Sequence, residues 1–391
     1  MSKKILLIRA TPNDLDINGY NVQQLGLGKD FVRLGYDYDF ITFKKEGNKC
    51  CETVFFEKDG HIAKVIEKPR CRFFRWGINY NIAKTNFLKQ YDLIICQEYY
   101  QLQTFLCSNN SNRVVMYNGP YYNMFMPKWF SPLYDKVIGP KLNRQIKYKF
   151  VKSVLAENFL KRKGYTGLYN IGVGLDTSRF DNEDVIKPET RNLVDYMTHN
   201  RCILYVGALS DRKNLPFLLE TYQKVLEKEP DVKFVMIGKS VINPIKKLYG
   251  KKDSDYEKEC MAKIPKKVKD GIIRIQRIEN PQLKFIYPLA KAFLLPSKLE
   301  IFGMVLLEAM YLKTPVITSY NGGSATLIEG KETGQIIKDF DSGLWAEAVE
   351  KYLNNPQYVK KITSNAEKLI REKYNWEFIA KRILNISGIE K

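Results

Sequence analysis

Pro296-Ser297-Lys298-Leu299-Glu300-Ile301-Phe302-Gly303-Met304-Val305-Leu306-Leu307-Glu308-Ala309-Met310 is the stretch whose reading decides the fold. The apolar run Ala292–Leu295 ahead of it reads as a buried strand, and a helical pattern opens at about Met304. Strand, loop and helix in that order form the repeating unit of a parallel α/β sheet. Gly303 permits close backbone approach at the helix start. The amide N–H groups of Met304 and Val305 there have no partner within the helix, and an anion such as phosphate is favoured at that position. Glu300 precedes the helix and can accept hydrogen bonds from ligand hydroxyls, and Glu308 lies about a turn and a half inside it. On spacing alone, the same residues also fit a buried helix with one acidic residue at its start and one exposed glutamate.

Upstream, Ile203-Leu204-Tyr205-Val206-Gly207-Ala208-Leu209-Ser210-Asp211-Arg212-Lys213-Asn214-Leu215 repeats the pattern. A strand, Cys202–Val206, ends at Gly207, and a polar loop then brings Arg212 and Lys213 to the start of a helix, Leu215–Lys228. Two cations there can neutralise a leaving pyrophosphate. A solvated basic loop is the plainer alternative. Further strands are predicted at Lys233–Ile237, Ile272–Gln276 and Pro315–Thr318, and helices at Trp345–Leu353, Tyr358–Lys373 and Trp376–Leu384.

The first half of the chain has the same alternation. Lys4–Arg9 reads as a strand, Leu25–Leu34 as a helix closing at Gly35, and Tyr38–Phe43, Asp92–Cys96 and Arg113–Tyr117 as strands. Ser153–Ala156 and Leu168–Val173 are taken as the last strands of this half. Residues 181–200 turn polar and lose periodicity. The expectation is a Rossmann-like domain over 1–180, a linker over 181–200, a second Rossmann-like domain over 201–373, and a helix over 374–391 crossing back to the first domain. Ligands of such sheets sit beyond the carboxyl ends of the strands. With two domains facing each other, the site is expected in the cleft between them.

Composition narrows the chemistry. The chain has 391 residues, 45% hydrophobic and 27% charged, enough for two full cores. No run of 18 apolar residues predicts a membrane span. The apolar core of Lys4–Arg9 is too short for a secretory signal and reads as the first strand. Seven cysteines without a C-x-x-C pair argue against a disulfide framework, and with only two histidines, His61 and His199, they argue against a zinc site. The Asp-x-Asp strings Asp14/Asp16, Asp37/Asp39 and Asp253/Asp255 lie in turns or on alternating strands, so no metal is expected. The absence of a G-x-G-x-x-G fingerprint weighs against a dehydrogenase. The formal charge of +20 favours polyanionic partners. Arg70–Trp76 interleaves cations with rings, Tyr121–Trp129 is rich in aromatics and methionine, and Lys141–Lys163 holds eight basic residues and one acid. That surface suits an anionic bilayer, and single-stranded nucleic acid is the alternative.

The Arg201–Glu329 region resembles glycosyltransferase family 4, which has the GT-B fold. Glu300 and Glu308 match its pair of glutamates, followed by Ala309-Met310, Pro315-Val316-Ile317 and Asn321-Gly322-Gly323. Val173–Phe180 resembles the family's hinge phrase, and Trp376 its C-terminal helix. The resemblance implies a metal-independent, retaining, hexosyltransferase-type enzyme without a cofactor. A nucleotide-diphosphate sugar is the substrate. Arg212, Lys213 and Glu300 are then the catalytic set. Gly207, Phe302, Gly303, Met304, Val305 and Glu308 bind the donor, Arg277 and Ile278 meet the base, and Gly19 approaches the diphosphate. Glu98, Asn118 and Tyr121 are acceptor-side candidates. Two departures stand out: Ala208 follows the strand glycine where the family commonly has Arg, and Asn118-Gly119-Pro120-Tyr121 lacks the family's histidine. A 6-deoxy sugar has no 6-hydroxyl to bind, and the first half also looks like bacterial capsule rhamnosyltransferases, which implies dTDP-L-rhamnose. The implied acceptor is a lipid-diphosphate-linked saccharide, used in the cytoplasm at the inner face of the cell membrane, with no nucleic acid involved. Other readings are a hexosyltransferase using UDP- or GDP-sugar, a phosphorylase, an epimerase, and a basic membrane- or nucleic-acid-binding adaptor without catalysis.

Overall fold

Fourteen of the strands divide into two sheets, and the chain divides with them. One unit comprises Met1–Asp176 with Lys373–Lys391, the other Thr177–Glu372. The computed structural model describes residues 2–10, 22–44, 50–73, 76–123, 129–181, 185–241 and 252–389. Gly19 and the Asp14/Asp16 pair lie outside these described residues.

The first unit contains β1 (Lys4–Arg9), β2 (Asp37–Lys44), β3 (Cys51–Lys58), β4 (His61–Pro69), a small ribbon of β5 (Cys71–Phe73) and β6 (Trp76–Ile78), then β7 (Leu93–Gln97), β8 (Val114–Asn118), β9 (Lys149–Val151) and β10 (Leu168–Asn170). Its eight-stranded sheet runs β10-β9-β8-β7-β1-β2-β4-β3. Every neighbour pair is parallel except β3 with β4. β1 lies in the middle of the sheet, with Leu6 opposite Asp39 on one side and Ile94 on the other. Leu6, Ile8, Ile94, Cys96 and Met116 are buried in the core against Tyr134 and Leu142.

For this half, one sequence expectation needs correction and one element was not expected. Ser153–Ala156 is not a strand: Ser153 caps a helix, Val154–Arg162, and its hydroxyl accepts from the Ala156 amide at 3.1 Å. Glu157 lies in the first turn, so the serine and the acid together were a helix start. The strand is the preceding β9, where the buried Lys149 hides the apolar pattern. The β3–β4 hairpin was not foreseen. Asp59 and Gly60 both take positive φ, 51° and 79°, as a tight two-residue hairpin turn requires.

The second unit contains β11 (Cys202–Val206), β12 (Lys233–Ile237), β13 (Ile272–Ile275), β14 (Ala292–Leu295), β15 (Val316–Thr318) and β16 (Gln335–Ile336), in the order β13-β12-β11-β14-β15-β16 and all parallel. The helices Leu215–Lys228 and Ser342–Asn354 pack through Leu218, Tyr222, Trp345 and Val349 onto Ile203, Phe234 and Leu294. The polar stretch 181–200 is not a linker. Pro188–His199 is a helix of this unit, with Pro188 in the first turn and Thr190, Leu193 and Met197 buried. A stripe that narrow, in otherwise polar sequence, leaves little periodicity to read.

The helix Trp376–Ser387 belongs to the first unit. A Cβ at Gly26 would lie 2.3 Å from the Trp376 indole nitrogen, and one at Gly174 2.6 Å from its ring. Both positions therefore require glycine for the indole to seat.

At the carboxyl ends of β12 and β13, Arg274 donates to Glu257 at 2.5 and 3.0 Å and to the Gly238 carbonyl at 2.6 Å. Burial raises the Glu257 carboxyl, but hydrogen bonds from Arg274 and Ser240 outweigh this and hold it below its ordinary value. A depressed folded pKa gives stability that is present above the unfolded value of about 4.3 and lost as pH falls through the folded one. Glu257→Gln is expected to cost about 1–3 kcal/mol at neutral pH. Urea melts should show the gap from wild type closing as the pH is taken toward 3.

Candidate active site

In the second unit, chain direction diverges between neighbouring β11 and β14: β12 lies beyond one and β15 beyond the other. Loops leaving the carboxyl ends of such a pair part from each other and open a crevice. The loop after β11 starts at Gly207, with φ +149°, and its amide donates to Ile237 at 2.9 Å. A Cβ at Gly238 would lie 1.9 Å from the Gly207 oxygen, so the two loops touch backbone to backbone. The chain then makes a short 3-10 turn, Asp211–Lys213. Asn214, left-handed at φ 61° and ψ 48°, turns it into the helix Leu215–Lys228.

This turn meets the loop after β14. The Lys298 amide donates to the Arg212 carbonyl at 3.0 Å, and Lys298 Nζ reaches Asp211 at 2.9 Å. The Arg212 guanidinium donates to the Leu299 carbonyl at 2.8 Å and to Glu300 Oε2 at 3.1 Å. Lys213 Nζ pairs with the same Glu300 oxygen. Lys213 is buried, and half of the Arg212 side chain is exposed. Burial lowers the Lys213 ammonium below its usual range, with Glu300 acting against that shift. Burial raises the Glu300 carboxyl, but the charges of Lys213 and Arg212 and their hydrogen bonds more than reverse this, so it stays ionised below the usual carboxylate range. Two cations thus converge on one carboxylate oxygen at the switch point. An anion that takes over these cations would release the carboxylate for hydroxyl groups.

Beyond Glu300, Gly303 adopts φ +83° and caps the helix Met304–Tyr311, whose amino end has no side-chain cap. The loop is braced by Asn321-Gly322-Gly323. Asn321 Oδ1 accepts from Gly323 and Ser324 amides at 3.0 and 3.1 Å, and the Gly322 amide donates to the Glu300 carbonyl at 3.2 Å. A Cβ at Gly323 would fall 1.8 Å from the Phe302 carbonyl oxygen. Met304 and Val305 therefore start a helix whose position is set by backbone contacts on both sides.

Glu308 is buried, not exposed, accepting from Asn280 at 3.2 Å and from the Tyr287 hydroxyl at 3.3 Å. Arg277 and Ile278 lie in the loop after β13, Arg277 exposed and Ile278 half-buried, just ahead of the turn that carries Asn280.

Residues 189–369 match the profile of the family "Glycosyl transferases group 1". This segment, just under half of the chain, is similar to that family. It contains Gly207, Arg212, Lys213, Glu300, Gly303 and Glu308. The chain is 29% identical over 201 residues to uncharacterized glycosyltransferase MJ1607 of Methanocaldococcus jannaschii, covering 51% of this chain and 47% of that protein. It is 28% identical over 240 residues to the capsular polysaccharide biosynthesis glycosyltransferase CapM of Staphylococcus aureus, covering 61% and 58%. The matches thus span about half the length of these relatives. The whole fold is shared with Anabaena Alr3699/HepE, solved in complex with UDP and glucose, at a TM-score of 0.66, 17% identity and 99% coverage of both chains. Two Rossmann-like domains with parallel sheets make this the GT-B fold.

The acceptor-side candidates lie in the other unit, outside the glycosyltransferase group 1 segment. Glu98 follows β7 at φ +68°, and its Oε2 accepts from the Gly119 amide at 3.0 Å. Burial raises its carboxyl, opposed by Lys152 and by the Gly119 bond. Asn118 is fully buried, taking the Tyr99 amide at 3.3 Å and giving to the Pro120 carbonyl at 3.0 Å. Its side chain shapes the loop. Tyr121 packs edge-on against Tyr122. The sequence reading missed Arg9, at the end of β1, and Lys152, just after β9. Both feel their charge disfavoured by burial, and Lys152 responds to Glu98 and Arg9 together. Within the family segment it missed Asn280 and Tyr287, and quoted Asn321 without giving it a role. Lys152 follows a strand that its own charge and that of Lys149 conceal, so the sequence has no local signal for it.

Proposed function

We propose that this protein is a retaining, metal-independent glycosyltransferase that moves L-rhamnose from dTDP-L-rhamnose to a saccharide on a lipid diphosphate. The convergence of Lys213 and Arg212 on Glu300, at the switch point of the glycosyltransferase group 1 segment, carries the transferase assignment. Lys213 and Arg212 take the donor's two phosphates, aided by the Met304 and Val305 amides, and offset the charge that grows as the sugar–phosphate bond breaks. Glu300, freed from its cations, holds the sugar with the Phe302–Gly303 backbone. Glu308 serves the ribose, oriented by Asn280 and Tyr287, and Arg277 and Ile278 serve the base. The acceptor oxygen bonds to the anomeric carbon on the face the phosphate leaves, and the departing phosphate oxygen takes the acceptor's proton. Glu98 orients that hydroxyl, with Lys152 balancing its charge. The two cations supply the neutralisation a metal would give.

The loop sequence Asn118-Gly119-Pro120-Tyr121, without a histidine, supports the 6-deoxy donor. CapM's capsular role supports a surface polysaccharide as product, made in the cytoplasm at the inner face of the cell membrane. No helix among the described residues is long and apolar enough to cross a bilayer, so attachment would be peripheral. A UDP-hexose donor is the second reading, favoured by the UDP and glucose bound to the Anabaena protein.

A thermal-shift panel of dTDP, UDP, GDP and ADP separates these, because a ligand that binds only the native state raises its melting temperature. The largest rise is expected with dTDP. A rise with UDP and none with dTDP would turn the donor to a hexose. No rise with any nucleotide would remove the transferase assignment.

A further inference from the structure

The helix Phe130–Gln145 of the first unit buries Tyr134 and Leu142 and presents a second set of apolar side chains outward. Trp129, itself in α conformation at φ −73° and ψ −28°, begins the spiral. Trp129, Leu133 and Val137 are 69%, 52% and 49% exposed. Positions four apart step only about 40° around a helix, so the three form one ridge. On the same wheel, Lys136 and Lys141 flank the ridge and Arg144 falls within it. All three cations are exposed, and none has an ion pair or hydrogen bond among the described residues. The helix's single acid, Asp135, is turned to Lys163. The outward face therefore has apolar groups at its centre, cations around them, and no carboxylate.

We infer that this face seats the protein on an anionic lipid bilayer, with Trp129, Leu133 and Val137 in the headgroup–acyl boundary and Lys136, Lys141 and Arg144 among the phosphates. An apolar ridge left in water is unfavourable, and a cation-rimmed one matches an anionic interface. A second copy docked on the same face about a two-fold axis would set the unpaired cations against their own images. The bilayer satisfies both the ridge and the charges. The inference rests on the membrane attachment proposed above, names the surface responsible, and does not draw on the donor.

Trp129 also supplies the probe, because Trp76, Trp345 and Trp376 are buried. The full chain is mixed with vesicles of phosphatidylcholine alone and of equal parts phosphatidylcholine and phosphatidylglycerol, and nucleotide-diphosphate thermal shifts are recorded in parallel. With the anionic vesicles, a blue shift of tryptophan emission is expected, absent in Trp129→Phe. Co-sedimentation should fall on the order of a hundredfold when Lys136, Lys141 and Arg144 are all changed to Gln, and also when Leu133 and Val137 are changed to Ser. The nucleotide shifts should be those of wild type in every variant. Wild type and variants sedimenting alike would overturn the assignment of this face, while membrane attachment itself stood. Wild type ignoring anionic vesicles would overturn both, whatever the nucleotide shifts show. A dimer that the Ser variants dissolve would give the face to a second copy.

Discussion

Lys213→Ala is expected to lower turnover by about 10²–10³-fold, the usual loss when one preorganised electrostatic contact to the developing charge is removed. Lys213 is the buried one of the two cations, so its charge acts through less water than that of the half-exposed Arg212. Arg212 remains in the variant but has to serve both Glu300 and the phosphates. The substitution also strips a partly buried carboxylate of its closest counter-charge, which carries a stability cost of its own. Glu300→Gln separates the two effects. In the double variant no unpaired carboxylate remains, so the melting temperature should recover toward that of Glu300→Gln alone while turnover stays low. Wild-type turnover in Lys213→Ala would take the lysine out of the chemistry. Recovery of turnover in the double variant would show that Lys213 acts only by balancing Glu300.

The arrangement behind this expectation was partly legible in the sequence. β11, β12, β14 and the helix Leu215–Lys228 are buried runs with sharp polar edges, and the chain states their limits residue by residue. Arg212, Lys213 and Glu300 could be nominated because each follows a strand in its own segment. That both cations meet one Glu300 oxygen follows from sheet order, which joins β11 to β14 across almost ninety residues and leaves no mark in local periodicity. Buried polar residues were harder still. Glu308 looked like an exposed helix position because its partners, Asn280 and Tyr287, come from a turn with no hydrophobic pattern. Lys149 and Lys152 broke up the apolar signature of β9 and moved the predicted strand onto a helix start. The helix Phe130–Gln145 was unreadable for the opposite reason: its apolar residues fall on both the buried and the exposed sides, so no single stripe stands out.

Gly323→Ala should show how far the Glu300–Gly303 loop depends on its brace. Alanine is a better helix former than glycine, so in the open the change would be favourable by up to about 1 kcal/mol. Here the added carbon would lie 1.8 Å from the Phe302 carbonyl oxygen, where real Cβ atoms essentially never come closer than 3.0 Å. The obstacle is backbone, so no side chain can swing aside. Either the helix Gly322–Leu327 retreats, breaking the Asn321 cap and the Gly322–Glu300 bond, or the Glu300–Gly303 loop moves out by more than an ångström. Overpacking of this kind costs about 1–3 kcal/mol, which a denaturant melt resolves. A misplacement of about 1 Å also costs on the order of 10² in rate, so turnover should fall even at temperatures where the variant is fully folded. Gly330→Ala is the comparison: that glycine has φ +70° and open space around it, so the variant should lose about 1 kcal/mol from backbone strain and keep its turnover. If Gly323→Ala melts early yet turns over like Gly330→Ala, the brace serves folding alone, and Glu300 is held in place by Lys213 and Arg212 without it.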